Sequence, residues 1–210
     1  MLSQNTTILI MENKLFNLEV YDDRYFKWHY DVTRTYAINT MNWYIETYKP
    51  NSIIDYGCGI GAYLESGLRK NITKLRGFDI GGEKLIPYID KSVKEFIEFL
   101  DCTNPIQTEK YDCVVSLETG EHIEPQGSDT FVDNILNSLD EKGFVLFSAA
   151  PPGQGGSGHI NCQPKSFWIQ KFNSRGVFEN EEMTKTIIDN WNKLGAPDYI
   201  CSNLIVLERK

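Results

Sequence analysis

The sequence predicts a doubly wound α/β domain: a mostly parallel sheet with helices on both faces and an antiparallel strand added at the C-terminal end. Three observations predict it. Short apolar runs alternate with helix-period segments between about residues 50 and 150, the rhythm of a sheet crossed by helices. The first apolar run empties into a glycine-rich turn, SIIDYGCGIGAY at 52–63, as a strand does before a ligand-binding loop. The last apolar stretch breaks the rhythm and fits a late antiparallel addition. The 210 residues suit one such domain spanning the chain, with residues 1–30 as a lead-in or cap.

Each element has its own signal. Asp31 or Thr33 can cap a helix that runs to Tyr48, where Pro50 forbids continuation. Ala37, Met41, Tyr44 and Tyr48 fall on one face of it. Strands are expected at SIID (52–55), KLRGFDI (74–80), EFIEFLD (95–101), YDCVVSL (111–117) and GFVLFSA (143–149). The fourth, rich in Val and Leu, reads as buried on both faces. Phe131, Ile135 and Leu139 mark a helix between the last two. A glycine-rich loop covers 151–158, with a helix near 164–172, a short strand at 176–180 and a helix at 181–191. YICSNLIVLER (199–209) reads as one long closing strand.

Composition excludes several classes. With 41% hydrophobic and 24% charged residues the chain is ordinary globular material. A net charge of -8 and the lack of a Lys/Arg cluster weigh against a general nucleic-acid binder. Five scattered cysteines show no paired spacing and read as reduced thiols, not a disulfide framework or zinc site. No stretch approaches the ~20 apolar residues that span a bilayer, and no signal peptide is apparent, so a cytoplasmic protein without membrane attachment is expected.

The glycine loop is the first informative site. Gly57, Gly59 and Gly61 let the chain turn tightly and let a ligand lie on bare backbone. Gly57, Gly59 and Ala62 also satisfy the dinucleotide fingerprint, and Asp79 stands 22 residues beyond Gly57, where a ribose-binding acid belongs. An NAD(P)-dependent oxidoreductase therefore stands as an alternative. Asp55, two residues before the first glycine, favours the ammonium of a methionine moiety over a pyrophosphate. Asp101 ends the third strand, placed to accept from an adenine amino group. The second mononucleotide-binding half of a dinucleotide domain is missing.

The series Asp55, Gly57-x-Gly59-x-Gly61, Asp79, Asp101 and YDCVVSLE resembles the class I S-adenosylmethionine-dependent methyltransferases over residues 50–150. The resemblance implies a Rossmann-like fold. It implies that Gly57, Gly59 and Gly61 cradle the methionine part of the cofactor, that Asp79 takes the ribose hydroxyls, and that Asp101 with Cys102 reads the adenine. Ser116, within YDCVVSLE, joins the expected cofactor-binding set. The bland alternatives are a solvated strand-end acid for Asp79 and a helix cap for Asp101.

LETGEHIEP (117–125) is the second site. Glu118, Glu121 and His122 stand at i, i+3 and i+4, one face of a helical turn. His159 follows the fifth strand, at the same rim of the sheet. Two carboxylates and two imidazoles there suit an octahedral Mg²⁺ or Mn²⁺ with two open positions. The pattern resembles two methyltransferase groups with an E-x-x-E-H segment: the small-RNA 3′-terminal 2′-O-methyltransferases, which hold Mg²⁺ or Mn²⁺, and the ubiquinone-pathway O-methyltransferases. The GQGGSGHIN segment differs from the later-histidine segment of the RNA enzymes. A metal-free reading makes His122 a general base, with Glu118 as the second catalytic candidate. AAPPGQGGSGHIN resembles methyltransferase domains of viral and microbial glycan clusters.

The leading expectation is O-methylation of a sugar or small polyol hydroxyl, a small-molecule or glycan acceptor. RNA 3′-terminal 2′-O-methylation, nicotinamide chemistry and a non-catalytic cofactor-binding module are the alternatives. Arg34 is either a partner of the cofactor carboxylate or an ordinary helix arginine. The aromatic segment 21–30, with His29 among Tyr25, Phe26, Trp28 and Tyr30, either covers the site or packs on the sheet.

Overall fold

The computed structural model describes Arg24, Lys27 and residues 29–210. The lead-in at 1–20 and the side chains of Tyr25, Phe26, Trp28 and His29 lie outside the described residues. The elements are α1 (Arg34–Tyr48), β1 (Ser52–Tyr56), α2 (Ala62–Arg69), β2 (Lys74–Asp79), β3 (Ile97–Phe99), β4 (Tyr111–Leu117), α3 (Ser128–Ser138), β5 (Leu139–Ser148), α4 (Lys165–Asn173), β6 (Val177–Glu179), α5 (Glu181–Lys193), α6 (Asp198–Asn203) and β7 (Ile205–Arg209).

The seven strands form one sheet in the order β3-β2-β1-β4-β5-β7-β6. β1 to β5 pair in parallel, and β7 enters antiparallel between β5 and β6. This is the expected Rossmann-like arrangement: β7 alone runs against the others, and β6, antiparallel to β7, runs with β1 to β5. The strand order reverses between β1 and β4, the position where open α/β sheets bind ligands at the carboxyl ends of their strands. β1 is buried at all five positions, as a central strand covered by helices must be.

Two cores flank the sheet. α1, α2, α5 and α6 cover one face around Met41, Leu64, Ile187 and Trp191. α3 and α4 cover the other around Phe131, Ile135, Trp168 and Phe172. Phe147 of β5 packs its ring against Trp168 and Phe172, with centroids 5.2 Å away in each case. Fully burying each such side chain contributes roughly 1.5–3 kcal/mol, so this wall holds the β5 end firmly. α1 presents Ala37, Met41 and Tyr44 to the core as its periodicity requires. Lys49 then stops it in a left-handed conformation, φ 52°.

Two expected elements change. The long strand at 199–209 is a short helix, α6, followed by β7. Ile200, Cys201 and Leu204 are the buried hydrophobic residues of 199–204, and their spacing is helical. The third strand shortens to Ile97–Phe99 and is reached through 3₁₀ turns at Gly82–Tyr88 and Lys94–Phe96 instead of an α-helix.

Candidate active site

A cavity of about 450 Å³ opens at the carboxyl ends of β1, β2 and β4, within the range of small-molecule sites. The glycine loop forms one wall. Asp79 holds it: Oδ2 accepts from the Gly59 amide at 2.8 Å and Oδ1 from the Gly81 amide at 2.7 Å. Asp79 is therefore no solvated strand end. A Cβ added at Gly59 would meet nothing within 4 Å, so that backbone is bare toward open space. A Cβ at Gly57 would collide with Thr119, and one at Gly61 with Ile97 at 2.7 Å. Gly57 and Gly59 line the cavity; Gly61 lies outside the lining and serves the turn into α2.

Asp55 is 2% exposed and lines the cavity with its Oδ2 unpartnered. Burial, and secondarily Asp79, pushes its carboxyl well above the usual range. Asp101 and Cys102 line the far end. Asp101 Oδ1 accepts from the Thr103 amide and hydroxyl at 2.8 and 2.7 Å, so it caps a turn, not a helix. Ser116 does not belong with them. It is fully buried between strands, and its Oγ donates to the Tyr56 carbonyl at 3.0 Å. Strand alternation turns its side chain away from the cavity lining.

The E-x-x-E-H segment is not an α-helical turn. Glu118 takes a left-handed φ of 52°, and only Gly120–His122 forms a 3₁₀ turn. Glu121, His122 and His159 nevertheless offer ligand atoms all within 4.8 Å of one another. Backbone bonds cause the meeting: the Ile160 and Asn161 amides both donate to the Glu121 carbonyl at 2.9 Å. A Cβ at Gly156 would strike the His159 ring, so a side chain there would displace that histidine. Glu118 stands outside this cluster. Its carboxylate accepts from Gln154 Nε2 at 2.9 Å and Asn203 Nδ2 at 3.2 Å. Of the four residues expected together, three thus meet, and the left-handed turn at Glu118 breaks the helical spacing that would have aligned the fourth.

Backbone carbonyls orient both imidazoles of the cluster. His122 Nδ1 faces the Gly158 carbonyl at 3.1 Å, and His159 Nδ1 faces the Gln154 carbonyl at 3.2 Å. A carbonyl only accepts, so in these two contacts each Nδ1 acts as the donor. Glu121 is 0% exposed and neither carboxylate oxygen has a hydrogen-bond partner. Burial, reinforced by Glu118, pushes its carboxyl well up.

Sequence comparison decides between the cofactor classes that share such a glycine loop. A family described as "Methyltransferase domain" matches residues 28–155. This chain belongs to that family, a class I S-adenosylmethionine-dependent methyltransferase. No curated protein matches the methyltransferase in sequence. Solved structures share its fold. The Streptomyces venezuelae DesVI structure superposes with a TM-score of 0.60 at 14% identity, over 84% of this chain and 93% of that one. The plantazolicin methyltransferase BpumL, in complex with S-adenosylhomocysteine and a pentazolic desmethyl analogue, gives 0.60 at 19% identity, over 98% and 99%. The O-methyltransferase of a Brevibacillus brevis trans-AT polyketide multienzyme, with S-adenosylhomocysteine, gives 0.58 at 15%, over 91% and 78%.

The methyltransferase has cavity residues that the sequence reading missed. Tyr36 of α1, Tyr63 of α2 and Tyr199 of α6 line it, as do Thr33 and Gln154. Asn203 of α6 braces this wall by donating to both Glu118 and Gln154. The available signal was Pro197-Asp198 before an apolar helical spacing, a helix start. Arg34 is absent from the lining; it pairs with buried Glu65, its Nε donating at 2.8 Å. Among the described lining residues there is no lysine or arginine. No described helix is long and apolar enough to cross a membrane.

Proposed function

We propose that this methyltransferase methylates a hydroxyl of a neutral sugar or small polyol, with a divalent cation held by Glu121, His122 and His159. The observation that carries the reading is Glu121: a fully buried carboxylate with both oxygens unpartnered, beside two imidazoles. Buried carboxylates normally find partners, and a cation supplies one. The donor chemistry fits. Each histidine gives its Nδ1–H to a backbone carbonyl, the second contact that ligating histidines commonly make. Two nitrogens and a carboxylate lean toward Mn²⁺ over Mg²⁺.

A bound cation would lower the pKa of an acceptor hydroxyl. The protein's own groups do the rest. The glycine wall and Asp79 hold the cofactor, with the unpartnered Asp55 facing its ammonium. Tyr36, Tyr199 and Glu118 offer hydrogen bonds to a polyhydroxylated acceptor. Glu118, outside the cation cluster, takes the hydroxyl proton as the oxygen bonds to the methyl carbon and the carbon–sulfur electron pair returns to sulfur. A cavity without lysine or arginine among its described residues suits a neutral acceptor better than an RNA end. All five cysteines are free thiols, in keeping with a cytoplasmic enzyme.

His122 supports a second reading, as a metal-free general base: the Gly158 contact leaves Nε2 as its basic nitrogen. A methyl-transfer assay across sugar glycosides, catechols, nucleosides and RNA ends, with and without EDTA, tests both. The metal-assisted polyol reading expects turnover on glycosides that EDTA stops and Mn²⁺ restores. Turnover only on RNA ends would overturn the acceptor, and full turnover in EDTA would leave His122 as base.

A further inference from the structure

Glu121 has no anchor at its own carboxylate: both oxygens are buried and without a hydrogen-bond partner among the described residues. Its direction is therefore set by the backbone on either side of it. One residue reaches both sides. The Asn161 backbone amide donates to the Glu121 carbonyl at 2.9 Å, which fixes the peptide after Glu121. The Asn161 side chain donates through Nδ2 to Ser128 Oγ at 3.1 Å, and at 3.5 Å to the Gly120 carbonyl, in the peptide before Glu121. Gln163 Nε2 donates to Asn161 Oδ1 at 3.0 Å and holds the amide in that orientation. Asn161 and Ser128 are buried, so these bonds are made away from water, where a lost partner is costly. The turn is also held from below. A Cβ at Gly120 would meet the Trp168 ring at 2.8 Å, so the turn already rests on that indole. His159 stands two residues before Asn161 on the same segment.

We infer that Asn161 is a positioning residue for the cation cluster. Its side-chain amide ties the Gly120–His122 turn to the first turn of α3, and so sets where Glu121 meets His159. The inference rests on the cation reading given above. Asn161 is absent from the cavity lining, so its effect is exerted through Glu121 and His159. It acts as the outer contacts of a metal site do, by orienting the residues that ligate.

Calorimetric titration of the cofactor-free protein with MnCl₂, and in parallel with S-adenosylhomocysteine, tests this. Asn161→Leu keeps the backbone amide and removes the side-chain bonds. It should weaken Mn²⁺ binding about tenfold or more and leave S-adenosylhomocysteine affinity nearly unchanged. Ser128→Ala removes the nearer acceptor of Nδ2 and should weaken Mn²⁺ binding in the same direction by a smaller factor. The double variant should lose no more than Asn161→Leu alone, because both changes act through one bond. Should Asn161→Leu fail to fold, Ser128→Ala carries the test. Wild-type Mn²⁺ affinity in the folded variants, even with a lowered melting temperature, would overturn the inference and leave Asn161 serving the fold alone. A wild-type protein that binds no Mn²⁺ would strike the cation reading, and the inference with it.

Discussion

His122 and His159 meet edge to face, with ring centroids 5.0 Å apart and an interplanar angle of 85°. His159 Nε2 also stands 3.8 Å from Glu121 Oε1. This contact makes the cation reading directly testable. Alanine at Glu121, His122 or His159 should each weaken Mn²⁺ binding at least tenfold, since each removes one of three protein ligands. Glu118→Ala should cost less, because Glu118 lies outside the cluster. Equal losses at Glu118 and Glu121 in a metal titration would mean the three-ligand set is wrongly drawn.

Gly59 and Gly61 should fail in different ways. A side chain at Gly59 projects into open cavity space. Gly59→Val should abolish cofactor binding while the left-handed φ of 52° costs roughly 1–2 kcal/mol of stability. Gly61→Ala should act mainly on stability, through its collision with Ile97. Thermal shift with and without S-adenosylhomocysteine separates the two. A Gly59→Val protein still stabilised by the ligand would refute this placement.

Asp79→Ala should weaken cofactor binding and also lower the melting temperature of the ligand-free protein. Its carboxylate holds two loop amides, and hydrogen bonds to charged groups contribute roughly 1.5–3 kcal/mol each. A variant with unchanged ligand-free stability would show that these bonds carry little.

Asp55 links stability to pH in a stated direction. Its folded carboxyl lies well above its ordinary value of 3.8, through burial and then Asp79. The folded state therefore keeps a proton that the unfolded chain has lost. Stability from this group is full below 3.8 and falls as pH rises through the folded value. Asp55→Asn should be more stable than the wild type at neutral pH, by a margin that widens with pH. The same variant should bind S-adenosylmethionine more weakly, because the ammonium loses its carboxylate. Denaturant melts across pH check the first part; a margin that shrinks as pH rises would contradict it.

Much of the cavity wall was legible because its signals are local. Asp55, Gly57, Gly59 and Asp79 lie at strand ends and in one turn, where apolar runs and glycine spacing mark them. Ser116 misled for the same reason. Its motif neighbours line the cavity, but its own side chain is spent between β1 and β4. The segment 199–204 misled because its apolar residues suit a strand or a helix. Burial on one side by α5, and the turn at Pro197, settle it as a helix.

By itself the sequence determined the alternating strands and helices, the closing antiparallel strand and the glycines and acids that line one wall of the cavity, since short-range periodicity and turn chemistry specify these. Only the tertiary structure decided which acids meet which histidines. Glu121 joins His159 because two amides from the 160–161 segment bond to its carbonyl. Glu118 is turned aside by a backbone conformation that residue spacing does not encode. Contacts of this kind depend on closing a loop between distant segments, and the energy that closes it comes from backbone bonds and packing that no local pattern carries.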